Sequence, residues 1–179
     1  MNNSQILQGK RALVFGAGGS IGGAVAMELA AEGAEVFMSG RNRANVEAAA
    51  KQITAAGGRA HTAIVDAENE AAVDKYLDDI AKTGNIDIVF NAIGPHAADY
   101  GNTKLAVDLK VEEYMLPLTT IVKSEFITAR AAARQMLKQR SGVIIFLTGS
   151  PARGHVQGAT AIGTAFGAIE TFGKPSFRG

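Results

Sequence analysis

The residues with the most chemical content in this chain are glycines. Gly16-Ala17-Gly18-Gly19-Ser20-Ile21-Gly22-Gly23 follows the apolar run Leu13-Val14-Phe15 and leads into a helical pattern. Glycine is needed where φ is positive or where backbone must approach a ligand, and a helix start offers free N–H groups and a positive dipole end to phosphate. The stretch predicts a strand, a turn and a helix that hold a dinucleotide pyrophosphate. Read as G-x-G-x-x-G, the third glycine would fall on Ile21; the spacing G-x-x-x-G-x-G fits better, with Gly16 and Gly22 in place and Ser20 at the middle position. Side chains that titrate near neutrality are few: His61 in a predicted strand, and His96 and His155 in predicted loops. The chain has 0 cysteines, which excludes disulfides, thiolate catalysis and cysteine-ligated zinc, and no metal site is expected.

These groups need a scaffold, and the chain alternates strand-like and helix-like segments. Residues 12–15, 34–39, 59–65, 86–90 and 142–147 read as short strands suited to a parallel sheet covered on both faces. Between them, a helix with Ser20 at its N-cap position is expected to stop at Gly33. Further helices are expected over 42–56, 68–81, 118–139 and 158–172, with Pro117 interrupting the fourth near its start. A polar connection through Asp99, Gly101, Asn102 and Lys104 is long enough to be a functional loop. The alternation calls for right-handed crossovers and a three-layer α/β/α, Rossmann-type, doubly wound sheet. In the strand order 3-2-1-4-5 the glycine turn lies beside the switch point, where such sheets bind ligands.

Composition narrows the partners. A chain of 179 residues suits one domain with a sizeable core, here read as 1–172 followed by a disordered tail over 173–179. A net charge of +1 gives no nucleic-acid footprint. No apolar run is long enough to span a membrane and the start lacks a signal-peptide core, so the expected location is cytoplasmic.

The whole pattern, colinear from the first strand to the helix near Gly158, resembles the short-chain dehydrogenase/reductase family. The resemblance implies a cofactor site built from Gly16, Gly18, Gly19, Ser20, Ile21 and Gly22, then Arg41, Asp66 with Ala67, and Asn91 with Gly94. Where members that prefer NAD carry an acid at the end of the second strand, this chain has Ser39-Gly40-Arg41, so NADP(H) is favoured over NAD(H) because guanidinium pairs well with a 2′-phosphate. Arg43 reads as a solvated helix start. Val65-Asp66-Ala67 resembles the family's adenine-binding Asp, although an Asp there could equally cap the next helix. Asn91-Ala92-Ile93-Gly94 resembles the Asn-Asn-Ala-Gly signature with its second and third positions changed.

The family's chemistry is hydride transfer between nicotinamide and a carbonyl or alcohol, with a Tyr as acid/base, a Lys one turn later, a Ser on strand five and an Asn in the preceding helix. The lysine is needed because a tyrosine titrates near pH 10 unperturbed. Here Ile162 falls at the tyrosine, Phe166 at the lysine and Gly149 at the serine, and the Asn falls near Thr120-Ile121. The flanking hydroxyls Thr148 and Ser150, and the imidazoles His96 and His155, are the substitute candidates. Tyr100-Gly101-Asn102-Thr103-Lys104 has the right letters, but it follows strand four, and Gly-Asn argues against the helix that would align them. It reads instead as a mobile polar loop.

Family members of full length continue with further strands, so the resemblance implies that the last strands of the fold are missing and the chain truncated. It also implies a homo-oligomer through helices 118–139 and 158–172, whose alanines and glycines allow close approach. The expected function is an NADP(H)-dependent oxidoreductase acting on a small carbonyl or alcohol from a degenerate catalytic site. The alternative is a non-catalytic NADP(H)-binding paralogue serving as a regulatory or structural subunit.

Overall fold

Five strands arranged about the buried run Ala12–Phe15 organise the backbone. The structure, a computed structural model, describes residues 5–174. Its strands are β1 (Arg11–Phe15), β2 (Glu35–Gly40), β3 (Arg59–Ile64), β4 (Ile88–Asn91) and β5 (Val143–Phe146), in one sheet of order β3-β2-β1-β4-β5. This is the expected order, and the β1–β2, β1–β4 and β2–β3 pairs are parallel. The helices are α1 (Ser20–Ala31), α2 (Arg43–Ala55), α3 (Glu70–Ala81), α4 (Val111–Pro117), α5 (Lys123–Gln139) and α6 (Thr160–Gly173). Chain packing divides into two compact units, residues up to 92 with 127–145, and residues 93–126 with those from 146 on.

In the first unit, β1 is buried along Ala12–Phe15, as a central parallel strand must be. α1 buries Gly22, Ala26 and Ala30, and α2 buries Val46, Ala50 and Ile53, each a stripe at helical spacing. Three boundaries differ from the sequence reading. Gly19, not Ser20, is the N-cap of α1, with Ser20 its first residue and no side chain capping the end. α2 and α3 start later than expected because Asn42 and Asn69 cap them, accepting from the N–H groups of Asn45 and Ala72. β4 starts at Ile88 rather than 86: the Ile86 backbone pairs with the Gln139 side-chain amide on both its N–H and its carbonyl instead of joining the ladder.

In the second unit, residues 97–100 and 106–108 form single 3-10 turns. α4 ends at Pro117, and Leu118–Val122 form a wider π-helical turn instead of the uninterrupted helix expected from 118. Proline has no N–H to give the preceding turn, and the Thr119 hydroxyl donates to the Met115 and Leu116 carbonyls there. A core of Ile121, Ala165 and Ile169 gathers Leu118, Val122, Phe146, Ile162 and Phe166 around it. α6 starts at Thr160, not 158, because Gly158 has φ of +74°, outside the helical region. Its missing Cβ admits the Thr103 backbone, whose N–H donates to the Gly158 carbonyl at 2.9 Å. Of the expected tail, Gly173 closes α6 and Lys174 follows it; residues 175–179 lie outside the described residues.

Candidate functional site

Register sets the candidate cofactor site of the first unit. Phe15 pairs with Ser39 on one side and Asn91 on the other, so the segments after β1, β2 and β4 leave the sheet at one level. After Phe15, Gly16 turns the chain at φ of +72°. A Cβ on Gly22 would stand 2.4 Å from the Gly16 carbonyl oxygen, so only glycine lets α1 start this close to the turn. Gly18 is crowded too, its Cβ position lying 2.9 Å from Asn45 Cβ. The first i to i−4 bond of α1 runs from Gly23 to Gly19. The N–H groups of Ser20, Ile21 and Gly22 thus have no acceptor within the helix, and all three point from an uncapped end where Gly19, Ser20 and Ile21 are exposed.

The neighbouring residues of the first unit suit a dinucleotide. Ser39, fully buried, has a hydroxyl without a hydrogen-bond partner, and its carbonyl accepts from the Ala17 N–H at 3.0 Å. Arg41 follows Ser39 and Gly40, is exposed, and makes no ion pair with any described residue. Arg43, by contrast, pairs with Glu47 along α2 at 3.2 Å, as a solvated helix start would. Asp66 does not cap α3: its carboxylate accepts from the Glu68 N–H at 3.0 Å while Asn69 takes the cap. Ala67 is buried. The Asn91 side chain is buried and donates to the Thr128 hydroxyl at 3.1 Å, which ties the end of β4 to α5. A helix start without a side-chain cap and an exposed guanidinium are the features a dinucleotide phosphate would use.

The second unit holds the residues onto which the family resemblance places the chemistry. Ile162 and Phe166 are core-packing residues of α6. A Cβ on Gly149 would lie 3.0 Å from Phe166 Cε2, so the ring takes the room a serine there would need. The Thr148 hydroxyl donates to Glu170 at 3.2 Å, and Ser150 is exposed at the start of a 3-10 turn. His155 lines a groove of about 470 Å³ with Leu105, Val156 and Thr160, while His96 is exposed before the first 3-10 turn. Gly94 is exposed, with room for a Cβ at 3.8 Å from Ile121 Cδ1. Tyr100 and Lys104 do not share a helix: Gly101 is left-handed between them, and Lys104 pairs with Glu113.

Three residues here escaped the sequence reading. Glu170 sits one turn beyond Phe166 and takes the Arg153 Nε–H on both carboxylate oxygens, at 2.8 and 2.9 Å. That hydrogen bond holds the Glu170 carboxyl below the usual range. The spacing 162, 166, 170 was the available signal for Glu170; nothing local marks Arg153. Glu125, on the first turn of α5, is almost fully buried, and burial pushes its carboxyl up to about 8 against the opposing Leu147 N–H.

Fold and strand order together define a doubly wound α/β protein, and comparison with known proteins makes the class specific. The sequence pattern of the short chain dehydrogenases matches residues 10–174, so the chain belongs to the short-chain dehydrogenase family, whose members bind NAD or NADP. An uncharacterised oxidoreductase of Staphylococcus aureus (strain N315) is 34% identical over 141 residues, covering 78% of this chain and 58% of the relative. One from Mycobacterium tuberculosis (strain CDC 1551 / Oshkosh) is 30% identical over 166 residues, covering 91% and 61%. The crystal structure of an NAD+-bound xylitol dehydrogenase superposes with a TM-score of 0.85 at 31% identity, over 93% of this chain and 63% of that one. The chain thus spans about three-fifths of the length of the curated relatives it matches. Among the described residues no helix is long and apolar enough to cross a membrane.

Proposed function

We propose that this chain binds NADP(H) in preference to NAD(H) and works as a cytoplasmic oxidoreductase on a small carbonyl or alcohol, without the tyrosine relay. The observation that carries the reading is Arg41, an unpaired guanidinium two residues beyond Ser39, in a segment flush with the uncapped start of α1 and with no acidic side chain at the end of β2. In the forward direction the net reaction is NADPH + H+ + carbonyl → NADP+ + alcohol: hydride goes to the carbonyl carbon and a proton to its oxygen.

Bound cofactor supplies the hydride, and the chain's own residues do the rest. The N–H groups of Ser20, Ile21 and Gly22 would hold the pyrophosphate, Arg41 would hold the 2′-phosphate, and Asp66 would meet the adenine beside Ala67. Asn91 holds the end of β4 in place. For the proton, Ser150, His155 and His96 remain with side chains exposed; Thr148 already gives its hydrogen to Glu170 and serves as an acceptor. Segments 118–139 and 158–172 are the proposed contact with a second copy, and exposed Phe126 and Leu137 on α5 support it.

A second reading, a non-catalytic NADP(H)-binding subunit, is favoured by one observation, the Phe166 ring against Gly149. One titration series tests both. Nicotinamide fluorescence is expected to show NADPH binding at least ten times tighter than NADH, with Arg41→Gln removing that preference. Equal binding of the two would overturn the NADP(H) assignment. NADPH oxidation with a carbonyl panel then separates the readings: turnover supports the oxidoreductase, and inertness across pH with tight binding leaves the subunit.

A further inference from the structure

Arg153 is held in an unusual way. It lies in the loop after β5, and only its Nε–H is used, by both oxygens of Glu170. Glu170 is itself largely buried, at 16% side-chain exposure, and takes the Thr148 hydroxyl as a second donor. The Arg153 side chain is 79% exposed, and its two terminal nitrogens make no hydrogen bond with any described residue. So the guanidinium is oriented from behind by an anchored carboxylate while its terminal N–H fork faces outward. A planar fork of this kind matches the two oxygens of a carboxylate.

Charge favours a monoanion. Glu170 is kept ionised by the Arg153 hydrogen bond, and Lys174, one turn further on, adds its field to the same carboxylate. Two cations around one anion leave about one unit of positive charge, enough to attract a carboxylate and less suited to a doubly charged phosphate. Its place in the chain supports the same reading. Arg153 is four residues beyond Gly149, in the segment that carries Ser150 and His155, and its anchor continues the Ile162 and Phe166 stripe of α6.

We infer that Arg153, oriented by Glu170, is the recognition group for a carboxylate on the substrate, so that the carbonyl compound handled here is an oxo acid rather than a neutral ketone. The inference rests on the oxidoreductase reading above, whose substrate class it specifies. Glu170 is a positioning residue in this arrangement, and Arg153 is the group that touches the ligand.

The test reads binding, not turnover. Fluorine NMR of the full chain with saturating NADP+, and in parallel without it, would follow three probes: trifluoroacetate as a carboxylate monoanion, trifluoroethanol as its neutral counterpart and monofluorophosphate as a dianion. Trifluoroacetate should broaden and titrate, at least tenfold more weakly in Arg153→Gln, with partial retention in Arg153→Lys. Trifluoroethanol should respond to neither variant. Trifluoroacetate binding that is absent, or unchanged in Arg153→Gln, or weaker than that of monofluorophosphate, would overturn the inference. Failure of the NADP(H) reading shows up separately, as absence of dinucleotide binding with the fluorine response intact.

Discussion

Phe166 and Gly149 are mutually exclusive with a serine: a Cβ at position 149 would meet the ring edge at 3.0 Å. The two residues are therefore one packing solution, in which the ring extends the core of Ile121, Ala165 and Ile169 and position 149 goes without a side chain. Gly149→Ser alone should cost about 1–2 kcal/mol through overpacking. Combined with Phe166→Ala, which removes the ring, it should cost less than the two single changes added, by about 0.5 kcal/mol or more. Urea unfolding of the four proteins in the cycle measures this, and strict additivity would show that the contact is not tight.

The glycines of the two signatures should differ sharply. A Cβ at Gly22 meets the Gly16 carbonyl at 2.4 Å, backbone that cannot yield without moving the start of α1. Gly22→Ala should destabilise by about 1–3 kcal/mol and abolish NADPH binding. A Cβ at Gly94 would sit 3.8 Å from the Ile121 side chain, an ordinary contact, and Gly94 has no left-handed φ. Gly94→Ala should stay within about 0.5 kcal/mol of the parent. Thermal melts and a fluorescence titration of both variants decide the contrast.

How much of this was legible beforehand follows the range of the interaction involved. The strand order and the glycine turn are written in local apolar runs and breakers, and both appear as read. The caps were missed by one or two residues because Asn42 and Asn69 compete with their neighbours for a role that only backbone direction settles. Ile86 left β4 because of Gln139, 53 residues away, which no local pattern announces. Pro117 was visible as a breaker, but the π turn after it also involves the Thr119 hydroxyl bonding back to the preceding carbonyls. At the site, the Arg153 and Glu170 arrangement was not legible, because it depends on a loop folding back 17 residues onto a helix.

Asn91 and Thr128 form a buried side-chain pair linking β4 to α5. Thr128→Val keeps the shape and removes the acceptor, leaving the amide without this bond. The expected loss is about 1–2 kcal/mol, with weaker NADPH binding because the end of β4 loses its tie. Thr128→Ser, which restores the hydroxyl, should recover most of the NADPH affinity. Recovery of stability without recovery of affinity would confine Asn91 to a structural role.

Glu125 makes stability depend on pH in a direction opposite to that of most carboxylates. Burial raises its folded-state value from the ordinary 4.5 to about 8, so the folded chain keeps a proton that the unfolded chain releases. The stabilising contribution is complete below about pH 4.5 and is lost progressively as pH rises through 8. At pH 9 the folded state must carry a buried charge, at a cost on the order of a few kcal/mol. Glu125→Gln stays neutral and keeps the shape, so it should match the parent near pH 4.5 and exceed it in stability at pH 9. Urea midpoints at pH 4.5, 7 and 9 give the test: a gap that widens with pH carries the signature of Glu125, and parallel curves would mean that its carboxyl ionises as an ordinary surface glutamate does.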